Sequence, residues 1–312
     1  MKKVLRFLVY GIAGLVVLIS LLFGHIDRSV DDLNTVYAPA PSKFIRVMGM
    51  DVHYRDEGNP TDSLPLVLIH GTGSSLHTFE AWAAALRENR RVVRMDLPGF
   101  GLTGPFPDRN YAMEQYVQFV AAFLAARDIG HCILAGNSLG GQIAWNFTLE
   151  HPDRVAKLIL IDASGYAIKS TSVPLAFKIA RTPVLNKILT FITPRAVVAS
   201  SVLNVYADKS KVTDALVDRY FDLSLRGGNR QALIDRMQMP FDSGAVRQIK
   251  TIHQPTLILW GDQDGLIPLE SAYRFQKDLP NDTLVILKNS GHVPMEEDPE
   301  ESLEAVLGFI AK

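Results

Sequence analysis

Cysteine is almost missing from this chain. Cys132 is the single one in 312 residues, which excludes a disulfide framework and any cysteine-rich metal site. A surplus of one charge is missing too: 32 Lys and Arg stand against 33 Asp and Glu, for a formal net charge of −1. A nucleic-acid binder would carry a basic excess. Near-neutral charge with 9% aromatic residues excludes disorder, and no internal repeat or low-complexity tract is visible. No phosphate-binding loop, dinucleotide fingerprint or metal-ligand cluster stands out, so neither a cofactor nor a metal is expected. What is present is apolar material, 47% of the residues. A chain of this size buries roughly three-quarters of its unfolded surface, and its length suits one α/β unit with an insertion, or two domains.

Long uncharged runs are also scarce, and the one that occurs lies at the start. Lys2, Lys3 and Arg6 precede the 18 residues Phe7–Gly24, the lower edge of the roughly 17–25 that span a bilayer as a helix. A cleaved signal peptide should have a shorter apolar region and a small-x-small site close behind it. Ala38-Pro39-Ala40 lies well downstream, and with no cysteine before Cys132 a lipoprotein-type anchor is excluded. Residues 1–26 are therefore expected to form an uncleaved single-pass membrane anchor, its cations cytoplasmic and the rest of the chain on the exported, periplasmic or extracellular side. Residues 27–42, polar and containing Pro39 and Pro41, read as a tether.

Beyond residue 42 strands and helices alternate. Lys43–Val47 and Asp51–Arg55 read as a hairpin around Met48-Gly49-Met50. Leu66–Ile69, Arg91–Met95, Cys132–Ala135, Leu158–Ile161, Thr256–Leu259 and Leu284–Leu287 are mostly continuous apolar runs, as suits parallel strands covered on both faces. Helical stretches fall between them at Phe79–Arg87, Met113–Arg127, Leu139–Glu150, Leu269–Lys277 and Pro299–Ala311. This order implies βαβ crossovers and an eight-stranded, mostly parallel sheet with helices on both faces. Residues 165–250 break the rhythm with helix-like pieces separated by Pro174, Pro183, Pro194 and Gly227-Gly228. They are expected to form a helical cap over the carboxyl edge of the sheet core (43–164 and 251–312), where open α/β sheets bind ligands.

The chemistry is written at the strand ends. Gly136-Asn137-Ser138-Leu139-Gly140 follows one strand and opens a helix, the context of a nucleophile elbow that lifts Ser138 Oγ above the sheet. A serine hydroxyl needs a base and a carboxylate that orients it. Of eight histidines, His292 in Ser290-Gly291-His292-Val293-Pro294 lies just past the last strand and leads His70. For the carboxylate, Asp262, Asp264 and Asp162 all fall at strand ends on that same edge. A tetrahedral intermediate also requires two N–H donors for its oxyanion. Leu139 N–H, at a helix start, is one, and the loop His70-Gly71-Thr72-Gly73 supplies the other, with Thr72 N–H the first choice.

His70-Gly71-Thr72-Gly73, Asp96-Leu97-Pro98-Gly99-Phe100-Gly101, Gly136-Asn137-Ser138-Leu139-Gly140-Gly141, Gly261-Asp262-Gln263-Asp264 and Gly291-His292 occur in this order. Over residues 43–312 the chain resembles the α/β-hydrolase superfamily, in the branch with a helical cap after the sixth strand. The resemblance implies Ser138 as nucleophile, His292 as base and Asp264 as acid, with Thr72 and Leu139 as oxyanion donors. Ser138 stands where haloalkane dehalogenases and epoxide hydrolases carry aspartate. Hydrolases of carbon–carbon bonds in ring-cleavage products share Gly136-Asn137-Ser138, yet usually have Gly-Pro-Gly in the first loop and an aromatic residue after the histidine. Here Gly73-Ser74 and Val293 stand instead. Bacterial lipases, esterases and monoacylglycerol-lipase-like enzymes resemble the chain more, so a small-molecule ester or lipid is the expected substrate. Carbon–carbon hydrolysis and a non-catalytic ligand receptor on the same fold are the alternatives.

The 165–250 segment holds 13 Lys and Arg against 6 Asp, net +7. Such a cap could face anionic lipid and admit acyl chains, or simply place its cations in solvent and its apolar face on the core.

Overall fold

The computed structural model describes residues 24–167, 169–240 and 243–311, together with 6, 7, 10, 11 and 14. Eight strands form one sheet: β1 (Lys43–Val47), β2 (Met50–Glu57), β3 (Leu66–Ile69), β4 (Val92–Met95), β5 (Cys132–Asn137), β6 (Val155–Ile161), β7 (Thr256–Gly261) and β8 (Asp282–Leu287). Their order is β1-β2-β4-β3-β5-β6-β7-β8. β2 runs antiparallel to both of its neighbours, and the pairings from β4 through β8 are parallel.

The continuous apolar runs are explained by cover on both faces. Alternate residues Val67, Ile69, Leu134, Leu158, Leu160, Ile258 and Trp260 join one core cluster with Phe119, Ile143 and Phe147. Their neighbours Leu66, Leu68, Ile133, Ile159, Ile161, Leu257 and Leu259 join a second with Phe79, Trp82 and Val306. The period of two sorts the central strands between two greasy layers, so no strand residue of β3 or β4 remains in contact with water. The helices over these faces are α2 (Glu80–Leu86), α3 (Met113–Ala126) and α4 (Leu139–Glu150), with α11 (Glu270–Asp278) and α13 (Pro299–Ile310) after β7. Because β3 pairs with β4 on one side and β5 on the other, the chain departs in opposite directions there. The loops after β3 and β5 flank the crevice that such a reversal opens at the carboxyl edge.

Between β6 and β7 the structure is helical. It comprises α5 (Leu175–Arg181), α6 (Leu185–Leu189), α7 (Arg195–Val205), α8 (Asp214–Ser224), α9 (Asn229–Met237) and α10 (Ser243–Val246). The residues that punctuate the sequence here are helix starts. Pro174 and Pro194 occupy the N-cap positions of α5 and α7, where the absence of a proline N–H costs little. Thr213 caps α8 by accepting Leu216 N–H at 3.1 Å.

The N-terminal side differs from expectation. Residues 30–37 of the expected tether form a helix, α1 (Val30–Tyr37), capped by Ser29 Oγ on Asp32 N–H at 3.1 Å. Leu33 is fully buried against Leu102 and Leu223. Asp27 pairs with Arg230 at 2.5 Å, and Arg28 with Asp222 at 2.8 Å. Tyr37 OH donates to Asp222 at 2.9 Å, while its carbonyl accepts His77 Nε2–H at 2.8 Å. Polar composition suggested a free linker because these partners lie up to about two hundred residues away along the chain.

The expected membrane placement is also corrected. Among the described residues no helix is long and apolar enough to cross a membrane, so the single-pass anchor over 1–26 and the exported location that depended on it are withdrawn. Most of that run lies outside the described residues. An 18-residue apolar stretch sits at the minimum spanning length, where hydropathy by itself does not decide.

Candidate active site

Ser138 stands at the junction of β5 and α4 with φ 55° and ψ −115°. A side chain in this left-handed region costs about 1–3 kcal/mol and persists only where its surroundings enforce it. Here Ser138 N–H donates to Ile161 O at 3.0 Å, and its carbonyl accepts from both Ser164 N and Gln142 N at 3.0 Å. The tight crossing needs residues without side chains: a Cβ on Gly136 would lie 2.2 Å from Gly140 C, and one on Gly140 2.1 Å from Ile69 O.

His292 sits in the loop after β8. Its Nδ1–H donates to Asp264 Oδ2 at 2.7 Å, which leaves Nε2 as the free acceptor. Asp264 is itself held, with Oδ1 accepting Leu266 N–H at 2.8 Å and Ile267 N–H at 3.0 Å. Asn137, the residue before the serine, donates its side-chain amide to His292 O at 2.9 Å, coupling elbow and histidine loop. Among the described residues no hydrogen bond joins Ser138 Oγ to His292; in ligand-free enzymes such contacts often tighten only with substrate. Thr72 and Leu139 line one cavity together with Ser138. Among the described residues, the N–H groups of Thr72 and Leu139 donate to nothing else. Leu139 N–H is the first of α4, so the helix dipole adds to it.

The other candidates have different surroundings. His70 is fully buried; it donates from Nδ1 to Gly71 O at 2.8 Å and accepts Leu97 N–H at Nε2. Burial lowers its pKa, so it is a neutral brace for the first loop. Asp262 accepts Asn289 N–H at 2.8 Å and lies 3.4 Å from Lys288. Asp162 accepts Gly261 N–H at 3.0 Å. Burial first, then the like charge of Asp264, pushes it well above the usual carboxylate range, favouring the neutral acid. Asp162, Asp264 and His292 offer ligand-type atoms within 4.8 Å of one another. Both Asp264 oxygens are already engaged by hydrogen bonds and a neutral Asp162 is a poor ligand, so the cluster fits an acid–histidine relay better than a metal. Cys132 is buried, and that burial pushes its thiol up to about 12, as an inert core residue.

Two residues passed over in the sequence hold the site together. His53 donates to Asp96 at 2.7 Å and meets Ser42 Oγ at 2.9 Å, fixing the Asp96 loop. Buried Glu297 accepts Gly291 N–H at 2.8 Å in the His292 loop, and also Asp208 N–H at 2.7 Å and Ala207 N–H at 3.1 Å from the cap. Its only sequence signal was an acidic residue five positions after His292.

Comparison with known proteins agrees with this fold. A family model described as alpha/beta hydrolase fold matches residues 65–299. An uncharacterized hydrolase of Bacillus subtilis, YugF, is 28% identical over 273 residues, covering 88% of this chain and 99% of its own length. A 2-hydroxy-6-oxo-2,4-heptadienoate hydrolase of Pseudomonas putida is 27% identical, covering 84% and 94%. Among solved structures, a membrane phospholipase A described as a bacterial virulence factor superposes with TM-score 0.71 at 28% identity, covering 100% of this chain and 98% of its own. With three-quarters of its length inside the family model and the elbow, acid and histidine at the strand ends, the chain belongs to the alpha/beta hydrolase fold family.

Proposed function

We propose that this hydrolase cleaves carboxylic esters of acyl chains at Ser138. His292 Nε2 takes the Ser138 Oγ proton as Oγ attacks the ester carbonyl carbon. The oxygen that becomes negative is received by Thr72 N–H and Leu139 N–H. Collapse breaks the bond to the alcohol oxygen, which leaves with the proton from His292. A water molecule, deprotonated by the same nitrogen, then attacks the acyl-serine and frees the acid. Asp264 holds the imidazole in the required tautomer throughout.

The observation that supports the ester reading is a second, narrow cavity, walled by Gly73 and Ser74 and by the apolar residues Leu189, Val198, Leu223 and Leu233. The first loop thus has Thr72 facing the serine cavity and its next two residues facing a greasy slot. A hydrocarbon chain entering that slot gains about 0.8 kcal/mol per buried CH₂. The likeness to a protein titled phospholipase A supports the same reading. Carbon–carbon hydrolysis is the second reading, favoured by relatives named as dienoate hydrolases.

The test is hydrolysis of p-nitrophenyl esters from acetate to palmitate by the full chain, with Ser138→Ala beside it. Serine-dependent turnover that rises beyond acetate is expected. Turnover retained by Ser138→Ala would overturn the mechanism, and faster consumption of a 2-hydroxy-6-oxodienoate than of any ester would move the assignment to carbon–carbon cleavage.

A further inference from the structure

Three arginines of the cap are matched to carboxylates. Arg195 pairs with Asp214 at 2.9 Å and Asp218 at 2.6 Å, Arg230 pairs with Asp27, and Arg219 with Glu296. Arg236, near the end of α9, is not paired in this way among the described residues. It lines the same cavity as Ser138, with Arg181 beside it. Its contact there is Nη2–H to Gln142 Oε1 at 3.4 Å, and Gln142 lies one helical turn after the serine, its N–H on Ser138 O. Arg236 Nε is buried with no hydrogen-bond partner. Among the described residues no carboxylate comes within ion-pair distance of it. The acid next to it in sequence, Asp235, is taken by Arg109 at 2.7 Å.

A half-buried guanidinium whose Nε is shielded from water without a partner is held at a cost. Burial, and further the like charge of Arg181, pulls Arg236 below the usual guanidinium value. The arrangement is unfavourable for an empty cavity and becomes favourable once an anion enters, because a planar fork of donors binds phosphate and carboxylate oxygens with charge-assisted bonds.

We propose that Arg236, with Arg181, forms an anion subsite beside Ser138, so that the substrate is an amphiphilic acyl compound carrying a phosphate or carboxylate group near the bond that is cut. The apolar slot behind Gly73 and Ser74 would take the chain and the arginines the charged end, with Ser138 between. The acyl half rests on the ester reading; the anion subsite does not.

Binding is therefore measured without chemistry, by titration calorimetry of the full chain carrying Ser138→Ala with octyl phosphate, octanoate and octanol. The anions are expected to bind at least about tenfold tighter than octanol, the scale of one charge-assisted hydrogen bond. Adding Arg236→Gln should erase that difference and leave the octanol affinity unchanged, and Arg236→Met, which keeps the aliphatic length, should act alike if Gln disturbs folding. A stronger response to octyl phosphate marks a phosphate substrate, and to octanoate a carboxylate one. Equal affinity for all three ligands, or an anion preference that survives both substitutions, would overturn the proposal. In a parallel arm the wild-type chain is given a monoacylglycerol and the matching 1-acyl-glycerol 3-phosphate. If neither is hydrolysed while the Arg236-dependent anion binding persists, the ester reading falls and the subsite stands.

Discussion

The sheet and the cap are built to different standards. In β3, β4, β5 and β7 every residue is buried, and at the elbow a single added methyl would collide with backbone at 2.2 Å. Among the described helices of the cap none exceeds 11 residues. Val184 and Phe191 stand 74% and 72% exposed, and among the described residues Arg236 has no counter-ion. The rigid half carries groups whose positions must hold to a fraction of an ångström. The loosely packed half contributes walls, where tolerance costs little and a change alters which molecule fits. Glu297 spans the two, binding the histidine loop and the cap with one carboxylate.

This contrast can be broken most forcefully at Ser138, the proposed nucleophile. Ser138→Ala should lower kcat by about 10⁴-fold or more while leaving the thermal midpoint within a few degrees. Steady-state kinetics beside a melting curve checks both. Asp264→Asn should cost about 10⁴-fold through the wrong imidazole tautomer, with Asn able to keep the bonds from Leu266 and Ile267. An effect under tenfold would return the orienting role to Asp262 or Asp162.

Stability sharpens the comparison next. Leu134→Ala, in the doubly covered sheet, should cost about 2–5 kcal/mol, whereas Phe191→Ala on the cap should stay within about 0.5 kcal/mol. Urea unfolding of the two variants decides, and equal losses would mean the cap is as tightly integrated as the sheet. On the cap side, Val198→Phe should fill the apolar slot and reduce turnover of the longest accepted ester about tenfold or more relative to the shortest.

The smallest effect concerns pH. Burial lowers the His77 pKa to about 3, below its usual value of about 6.5. The folded protein therefore keeps His77 neutral where the unfolded chain protonates it. Its contribution is complete above about pH 6.5 and is lost as pH falls toward 3, with a slope of at most one proton per molecule. His77→Gln should flatten that part of the curve between pH 6.5 and 4.5, as read from denaturation midpoints.

Much of the sheet was legible because its signal is local. Lys43–Val47, Leu66–Ile69 and Leu139–Glu150 have the same bounds in the structure as in the sequence reading, since apolar runs and a Gly-flanked elbow each declare one element. The cap was legible only as a helical region. Its helices of four to eleven residues are too short to show a clean period, and their starts depend on prolines that also read as breaks. The N-terminal segment misled for a related reason, because α1 docks through one buried leucine and partners such as Asp222.

By itself, then, the sequence determined the strand order along the chain, the elbow, and the residue types able to act as nucleophile, acid and base. Those follow from short-range patterns of hydrophobicity and glycine. The family resemblance pointed to Asp264 among three aspartates, but that Asn137 and Glu297 hold the His292 loop, and that Arg236 faces the serine cavity without a counter-ion among the described residues, were decided only in three dimensions. Each depends on contacts between residues far apart in the chain, where burial and the presence or lack of a partner set the chemistry of a side chain.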